Sequence, residues 1–422
     1  MLLVGTDLVE IARIEKSMKN PLFCSRILGR TEYEQLARRG FPAQSVAASF
    51  CAKEAFSKAV GTGIGGFRLR EVELLRMPGK RPELRLSGKA AELAGKMQFS
   101  VSVTHTATTA AATVVGCQEN EQASIFRTGE MHNRPEGEKI LLNMLPPRDP
   151  ESNKGDFGRL LCVCGSEGMA GAAAMSTLSA LRCGVGIVET AVPKSIYPIV
   201  AALAPEAVFS LLDISSDGNM TERAEQTISA ALSRASACLV GCGLGKSPYA
   251  HGAVSLLLQT AKVPLVLDAD GINIVAEHID ALNTASAPLV LTPHPGEMAR
   301  LLKTSVKEVQ QNREHYAFWF AKKYGVILVL KGAGTLVASP QGRLYRNTTG
   351  NPGMAKGGSG DVLAGMIASF AAQGIDLFQA AAGAVYLHGL AGDECAKSLS
   401  QCAMLPTDLI GKLPELFLKM GR

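Results

Sequence analysis

At 422 residues the chain is too long for one ordinary hydrophobic core, and two domains are expected. With 47% hydrophobic and 19% charged residues it is not a disordered chain; no apolar run is long enough to span a bilayer, and Asp7 comes too early for a signal peptide, so a cytoplasmic protein is expected. The formal charge of +5 is uneven: residues 1–116 hold 17 Lys+Arg against 10 Asp+Glu, which suits an acidic macromolecular partner, while the lack of any aromatic-interleaved basic stripe argues against nucleic acid.

The first predicted element is a strand over residues 2–8, which ends near Asp7. A helix is expected to start at Thr31, whose hydroxyl would cap it while Glu34 closes a capping box. A second helix runs from about Ala43 to Val60 and is stopped by Gly61-Thr62-Gly63. It contains Phe50-Cys51-Ala52-Lys53-Glu54-Ala55-Phe56-Ser57-Lys58. Asp7 and Glu54, from distant segments, could form a magnesium site that takes its remaining ligands from phosphate, with Lys53 and Lys58 adding charge. The plainer alternative is an i,i+4 ion pair between Glu54 and Lys58. Phe99–Thr104 alternates as a half-buried strand, and residues 118–136 lose apolar pattern and read as a linker.

Beyond the linker, apolar runs at 160–164, 187–192, 238–240, 263–267, 288–291 and 326–330 alternate with Ala/Leu-rich helical stretches. This pattern predicts an α/β domain with a largely parallel sheet, whose ligands gather beyond the carboxyl ends of the strands. The ten cysteines include no CxxC pair and read as free thiols; Cys162 and Cys164 would share one strand face but lack further metal ligands. Gly241-Cys242-Gly243-Leu244-Gly245-Lys246-Ser247 ends like a P-loop, but Val240 stands where its first glycine belongs. It reads instead as a strand exit that lets a flat ligand approach the backbone. Asp268-Ala269-Asp270, Thr292-Pro293-His294-Pro295-Gly296-Glu297 and Lys331-Gly332-Ala333-Gly334-Thr335 each follow a strand. His294, between two prolines, suits a ligand contact or a structural role; Lys331 suits a nucleotide phosphate or the edge of an adenine, or is a snorkelling surface lysine.

The most informative run is Asn351-Pro352-Gly353-Met354-Ala355-Lys356-Gly357-Gly358-Ser359-Gly360-Asp361, which opens a helix. Glycines let successive N–H groups converge on phosphate, and the helix dipole adds positive potential. A carboxylate there repels phosphate, so Asp361 is expected to act as a base on a substrate hydroxyl; helix capping is the alternative.

Two resemblances follow from these residues. Gly5-Thr6-Asp7, the Phe50–Gly63 run, Gly79-Lys80-Arg81-Pro82 and Val101–Thr106 resemble holo-[acyl-carrier-protein] synthase, an α+β 4′-phosphopantetheinyl transferase. The resemblance implies transfer of phosphopantetheine from coenzyme A to a serine of apo acyl carrier protein, with Asp7 and Glu54 as Mg2+ ligands and Glu54 in the catalytic centre. Thr104 stands where that family usually has Ser, and Thr108-Thr109 where an aromatic is common. From Gly137 onward, the runs KGDFGR, GSxGMxGA, HPGE, KGxGT and NPGMxxGGSGD, in that order, resemble the ADP-dependent NAD(P)H-hydrate dehydratases of the ribokinase-like fold. That implies ADP- or ATP-dependent dehydration of hydrated NADH or NADPH (NADHX/NADPHX). Ala172, Gly243, His294 and Asp361 would contact the hydrate, Lys331, Gly332, Ala333, Gly334, Thr335 and Gly360 would hold the nucleotide, and Asp361 would be the base. Asn153 departs from the His often found there. The expected organisation is a transferase domain at 1–117, a linker at 118–136 and a dehydratase domain at 137–422, in a homo-oligomer. A small-alcohol kinase of the same fold behind a non-catalytic oligomerisation module is the rival reading.

Overall fold

The computed structural model describes residues 2–76, 82–95, 97–118 and 135–422. The chain divides into two compact units, Met1–Asn133 and Arg134–Arg422. Most of the expected linker, residues 119–134, and the run Gly79-Lys80-Arg81 lie outside the described residues.

In the first unit, β1 (Leu2–Glu10), β4 (Met97–His105) and β5 (Thr109–Gln118) form an antiparallel sheet ordered β1-β5-β4, and β2 (Val72–Leu75) pairs with β3 (Glu83–Leu86) as a hairpin. The helix Ala43–Ala59 is packed on most sides, as its run of alanines allows: Ala47, Ala48, Cys51, Ala52, Ala55, Phe56 and Ala59 are all buried. Phe56 meets Phe67 and Phe99 edge to face at 5.3 and 4.9 Å. The helix crosses β1 so closely that a Cβ at Gly5 would stand 2.0 Å from the Ala55 carbonyl oxygen. That approach is possible only for glycine, and it carries Asp7 to the helix. The expected capping box at Thr31 does not form. The helix begins at Arg30, and the carboxylate of Glu73 accepts from the Thr31 and Glu32 N–H groups at 2.8 and 3.1 Å. A carboxylate brought from β2 thus replaces the local hydroxyl, which a linear pattern does not reveal.

The second unit holds a nine-stranded sheet ordered β14-β13-β12-β11-β10-β9-β6-β7-β8. The strands β6 (Arg159–Val163), β7 (Ile187–Pro193), β8 (Val208–Leu212), β9 (Ala237–Val240), β10 (Leu265–Leu267), β11 (Leu289–Leu291) and β12 (Ile327–Leu330) run parallel. The strands β13 (Leu336–Ala338) and β14 (Leu344–Arg346) extend the edge antiparallel. Alternate strand residues enter two cores. Leu160, Cys162 and Leu239 pack with the helices Ala170–Arg182, Ser359–Ala372 and Leu377–Ala403, whereas Leu161, Val163, Cys238 and Val240 pack on the opposite face. No described helix is long and apolar enough to cross a membrane.

Candidate functional sites

In the second unit, β6 connects to β7 on one side and is paired with β9 on the other, so the chain reverses direction across the sheet between β6 and β9. A crevice opens at such a switch point, beyond the carboxyl ends of the strands. Here the two exits are stitched together: Gly165 N–H donates to the Cys242 carbonyl at 2.8 Å, and Ser166 Oγ donates to the Gly243 carbonyl at 2.9 Å. Gly243 has φ +59°, and a Cβ on it would meet the Ala172 methyl at 2.6 Å. Ala172 and Gly243, 71 residues apart in sequence, therefore form one wall.

Asp268, at the tip of β10, is 1% exposed. Its Oδ1 accepts from Lys331 Nζ at 2.7 Å and Thr292 Oγ1 at 2.5 Å, and its Oδ2 faces the Cys242 thiol at 3.6 Å. Asp361 is the third residue of the helix Ser359–Ala372 and makes no capping hydrogen bond. Its carboxylate, the Cys242 thiol and the Asp268 carboxylate lie within 4.8 Å of one another. Burial first, then the Asp268 charge, pushes the Asp361 carboxyl up to about 6, against the opposing effects of the Cys242 thiol and Lys331. Such a group is poised to take a proton near neutral pH.

Lys331 is not a free surface lysine. Burial alone would lower its pKa, but Asp268 and Glu297 outweigh burial and hold it above the ordinary lysine range. A Cβ at Gly360 would stand 3.2 Å from its Nζ, so Lys331 reaches the mouth of the glycine cradle. Arg313 braces the following loop by donating to the Leu330 and Lys331 carbonyls at 3.1 and 3.3 Å, while Thr335 Oγ1 donates to the Gly332 carbonyl at 2.9 Å. His294 has a structural duty. Its Nδ1 accepts from the Gly296 and Glu297 N–H groups at 3.0 and 3.4 Å, and Glu297 accepts in return from the His294 N–H at 2.8 Å. The ring nevertheless stays 49% exposed, so it can cap and touch a ligand together.

The cradle itself is prepared for an anion. Ser359 Oγ is buried without a hydrogen-bond partner, and nothing lies within 4 Å of where a Cβ of Gly357 would project. His388, buried behind Ser359 with its Nε2 unpartnered, is driven down to about 4 by burial and stays neutral. An orphaned hydroxyl in a glycine-rich helix start fits the phosphate of a nucleotide.

In the first unit, Lys58 Nζ donates to Asp7 Oδ1 at 2.9 Å and to the Thr6 carbonyl at 3.0 Å. The lysine thus pairs with Asp7, not with Glu54. Burial first, then the nearby Asp7 charge, pushes the Glu54 carboxyl up, with Lys58 and Arg13 opposing. Two carboxylates that repel each other, with an ammonium already drawn onto one of them, are a donor set that fits Mg2+. Lys53 requires a correction. It is fully buried, bonded to Glu32 Oε2 at 2.7 Å and to the Val72 carbonyl, and burial lowers its pKa despite Glu32. It faces the core and cannot reach a phosphate in solvent.

Sequence reasoning assigned no role to Asp268, Glu297, Cys242 or Arg313. The first three each follow a strand exit that the motifs marked, but their burial and pairing arise from tertiary contact.

Comparison with known proteins agrees with this geometry. Residues 160–415 match the family model described as NAD(P)H-hydrate dehydratase, and residues 3–114 match that of the 4′-phosphopantetheinyl transferase superfamily. A bifunctional NAD(P)H-hydrate repair enzyme of Moorella thermoacetica is 42% identical over 64% of this chain and 51% of its own length. An ADP-dependent (S)-NAD(P)H-hydrate dehydratase of Neisseria meningitidis is 38% identical over 61% of this chain and 84% of its own. The chain spans about half the length of the bifunctional relatives it matches. Among solved structures, an ADP/ATP-dependent NAD(P)H-hydrate dehydratase from Bacillus subtilis, co-crystallized with ATP/Mg2+, has a TM-score of 0.56 at 32% identity, covering 68% of this chain and 99% of that one. A ribokinase-like superfamily protein from Enterococcus faecalis has a TM-score of 0.59 at 30% identity, covering 68% and 98%. The chain therefore belongs to the NAD(P)H-hydrate dehydratase family, with a ribokinase-like second unit and a domain of the 4′-phosphopantetheinyl transferase superfamily at residues 3–114.

Proposed function

We propose that the chain is a bifunctional enzyme whose second unit repairs hydrated NADH and NADPH at the expense of ADP or ATP. The observation that carries this reading is a half-buried carboxylate, Asp361, with its pKa raised to about 6, one residue from a glycine cradle that holds an orphaned hydroxyl. The hydrate lies against Ala172, Gly243 and His294, and the nucleotide's terminal phosphate lies in the cradle beside Lys331 and Gly360. Lys331, Gly332, Ala333, Gly334 and Thr335 line the nucleotide. Asp361 takes the proton of the ring hydroxyl as its oxygen attacks that phosphate and the phosphoanhydride bond breaks. AMP from ADP, or ADP from ATP, is the leaving group of that transfer; the carbon–oxygen bond of the new ester then breaks and expels inorganic phosphate, the adjacent ring carbon loses a proton to solvent, and the ring recovers its double bond. The names of the relatives favour this over a small-alcohol kinase, which would stop at the ester.

Incubation of hydrated NADPH and ADP with the protein is expected to restore dihydronicotinamide absorbance with release of one phosphate. Asp361→Asn is expected to lower kcat by about 10²–10⁴ with ADP binding retained. Accumulation of a stable phosphoester would instead identify a kinase.

The first unit, in this reading, transfers 4′-phosphopantetheine from coenzyme A to a serine of acyl carrier protein. Support comes from the family match over residues 3–114 and from the Asp7 and Glu54 carboxylates. These two would hold Mg2+, which when bound neutralises the pyrophosphate of coenzyme A. Lys58 is released from Asp7 to meet phosphate, and the basic surface of the unit attracts an acidic carrier. The mass of apo acyl carrier protein should rise by one phosphopantetheine in the presence of coenzyme A and Mg2+. Glu54→Ala should abolish the gain, and no gain with the unaltered chain would leave the first unit a scaffold. The described cysteines are all free thiols, which supports a reducing, cytoplasmic setting. Self-association belongs to the same reading and is measured by light scattering.

A further inference from the structure

The second unit contains a cavity of about 590 Å³ far from the site just described. It lies at the opposite end of the sheet, among the segment that leads into β6, the Cys183-Gly184 turn before β7, and the residues that follow the helix Ser359–Ala372. Arg182, on its wall, ends the helix whose start carries Ala172; twelve residues of helix from Ala170 put it roughly 18 Å away from the crevice.

The body of the cavity is apolar, formed by Pro146, Phe157, Ile375 and Phe417 among others. Its charged groups are unequally engaged. Asp156 accepts from the N–H and the side-chain amide of Asn153, both at 2.8 Å, and Asp149 accepts from the Glu151 N–H at 2.9 Å. Both carboxylates are thus committed to holding the chain that forms the wall. Arg148 is fixed flat over the Phe157 ring, 3.7 Å from its centroid, and donates to the Gly184 carbonyl. Arg422 donates to the Leu142 carbonyl at 3.1 Å, whereas Arg182 is exposed at the rim and, among the described residues, its guanidinium makes no ion pair or hydrogen bond. A fork of five donors at the rim of an apolar chamber of ligand size, on a wall where the three arginines Arg148, Arg182 and Arg422 outnumber the two aspartates, is complementary to an oxyanion on an apolar body. The stacked Arg148–Phe157 pair offers a flat surface on which a ring can lie.

We propose that this cavity is a second small-molecule site, separate from both reaction centres, which takes an apolar acid: a ring or hydrocarbon body that bears one carboxylate or phosphate. The anion pairs with Arg182, and the body fills the space between Phe157 and Phe417. The site is linked to the catalytic end by a stiff pair of helices. Ser369 Oγ donates to the Ala180 carbonyl at 2.8 Å, and Gln373 Nε2 donates to the Cys183 carbonyl at 3.0 Å. Ala172 and Asp361 stand at the other ends of these same helices.

The test is calorimetric titration of the full chain, with saturating ADP and coenzyme A present, using 1-naphthyl phosphate, 1-naphthoate and the neutral 1-naphthylmethanol. One equivalent of either acid is expected to bind, and the neutral analogue at least tenfold more weakly. Arg182→Gln should weaken the acid at least tenfold while ADP binding stays unchanged, and Ile375→Trp, which fills the chamber but keeps the guanidinium, should abolish binding. Binding by either acid with this pattern supports the site, and the tighter acid identifies the head group. The proposal is overturned if neither acid binds up to millimolar concentration, if binding ignores both substitutions, or if ADP or coenzyme A displaces the probe.

Discussion

Two carboxylates and a thiol within 4.8 Å, two of them buried and Asp361 half-buried, do not titrate as independent groups. Lys331 neutralises Asp268, so the ionisation of Asp361 is the one that the site resists. With its carboxyl raised from 3.8 to about 6, Asp361 is mainly ionised only above pH 6, and dehydratase turnover should fall as pH drops through that value. Asp268→Asn removes a negative charge that raises the Asp361 pKa. The acid limb of the kcat profile should then move to lower pH, and an unmoved limb would assign it to another group. The same shift has a sign for stability. A raised folded-state pKa contributes stability below the ordinary carboxyl value, and that contribution is lost as pH rises through about 6. Asp361→Asn is therefore expected to stabilise the second unit at pH 8 by at most about 3 kcal/mol relative to its effect near pH 3, measured by urea unfolding. Asp361 was legible because glycines crowd the residues before it. Asp268 was not, because Asp268-Ala269-Asp270 offers two acids and only the fold buries the first and turns the second to the Gly245 N–H. Lys53 was misread for a reason the sequence contained. At about 100° per residue, Lys53 and Lys58 lie roughly 140° apart around one helix, so they cannot both serve one ligand.

At the scale of elements, Lys53 ties three of them. It extends from the helix Ala43–Ala59 to Glu32 on the helix Arg30–Ala37 and to the Val72 carbonyl on β2, while Glu32 Oε1 accepts from the Leu74 N–H at 3.1 Å. Both partners are fully buried, so removal of one leaves an uncompensated charge in a low-dielectric core. Lys53→Met should destabilise the first unit by about 3–5 kcal/mol, whereas adding Glu32→Gln should recover part of that loss. Equal destabilisation by the single and double variants would show that packing, not charge, sets the cost. The contact also explains which elements the sequence made readable. Buried parallel strands such as β6 and β12 are continuous apolar runs and announce themselves. The strands β13 and β14 at one end of the large sheet have three residues each, too few for a period, and β5, which lies between β1 and β4, begins with three alanines among its first four residues, a poor strand signal before Thr113-Val114-Val115. The helix start at Arg30 depends on Glu73, forty-odd residues away, and no local motif reports such a cap.

For the molecule as a whole, the cores decide how separable the two chemistries are. The first core draws its buried residues from Val9 to Val114, and the two faces of the large sheet draw theirs from Leu141 to Leu416, with no residue shared. A unit of this first length buries enough surface to fold by itself, and the second is larger still. The residues proposed for each reaction centre likewise fall within one unit: Asp7, Glu54 and Lys58 in the first, the strand exits and Asp361 in the second. Separately produced residues 1–118 and 135–422 should therefore each fold cooperatively, the first retaining carrier-protein modification and the second hydrate dehydration at rates within a few-fold of the joined chain. In calorimetry, the two pieces should reproduce the two transitions of the full protein, and Lys53→Met should lower only the one that belongs to residues 1–118. If residues 135–422 lose activity when cut free and regain it on mixing with residues 1–118, the second centre needs a group from the first unit, and independence of the two chemistries fails.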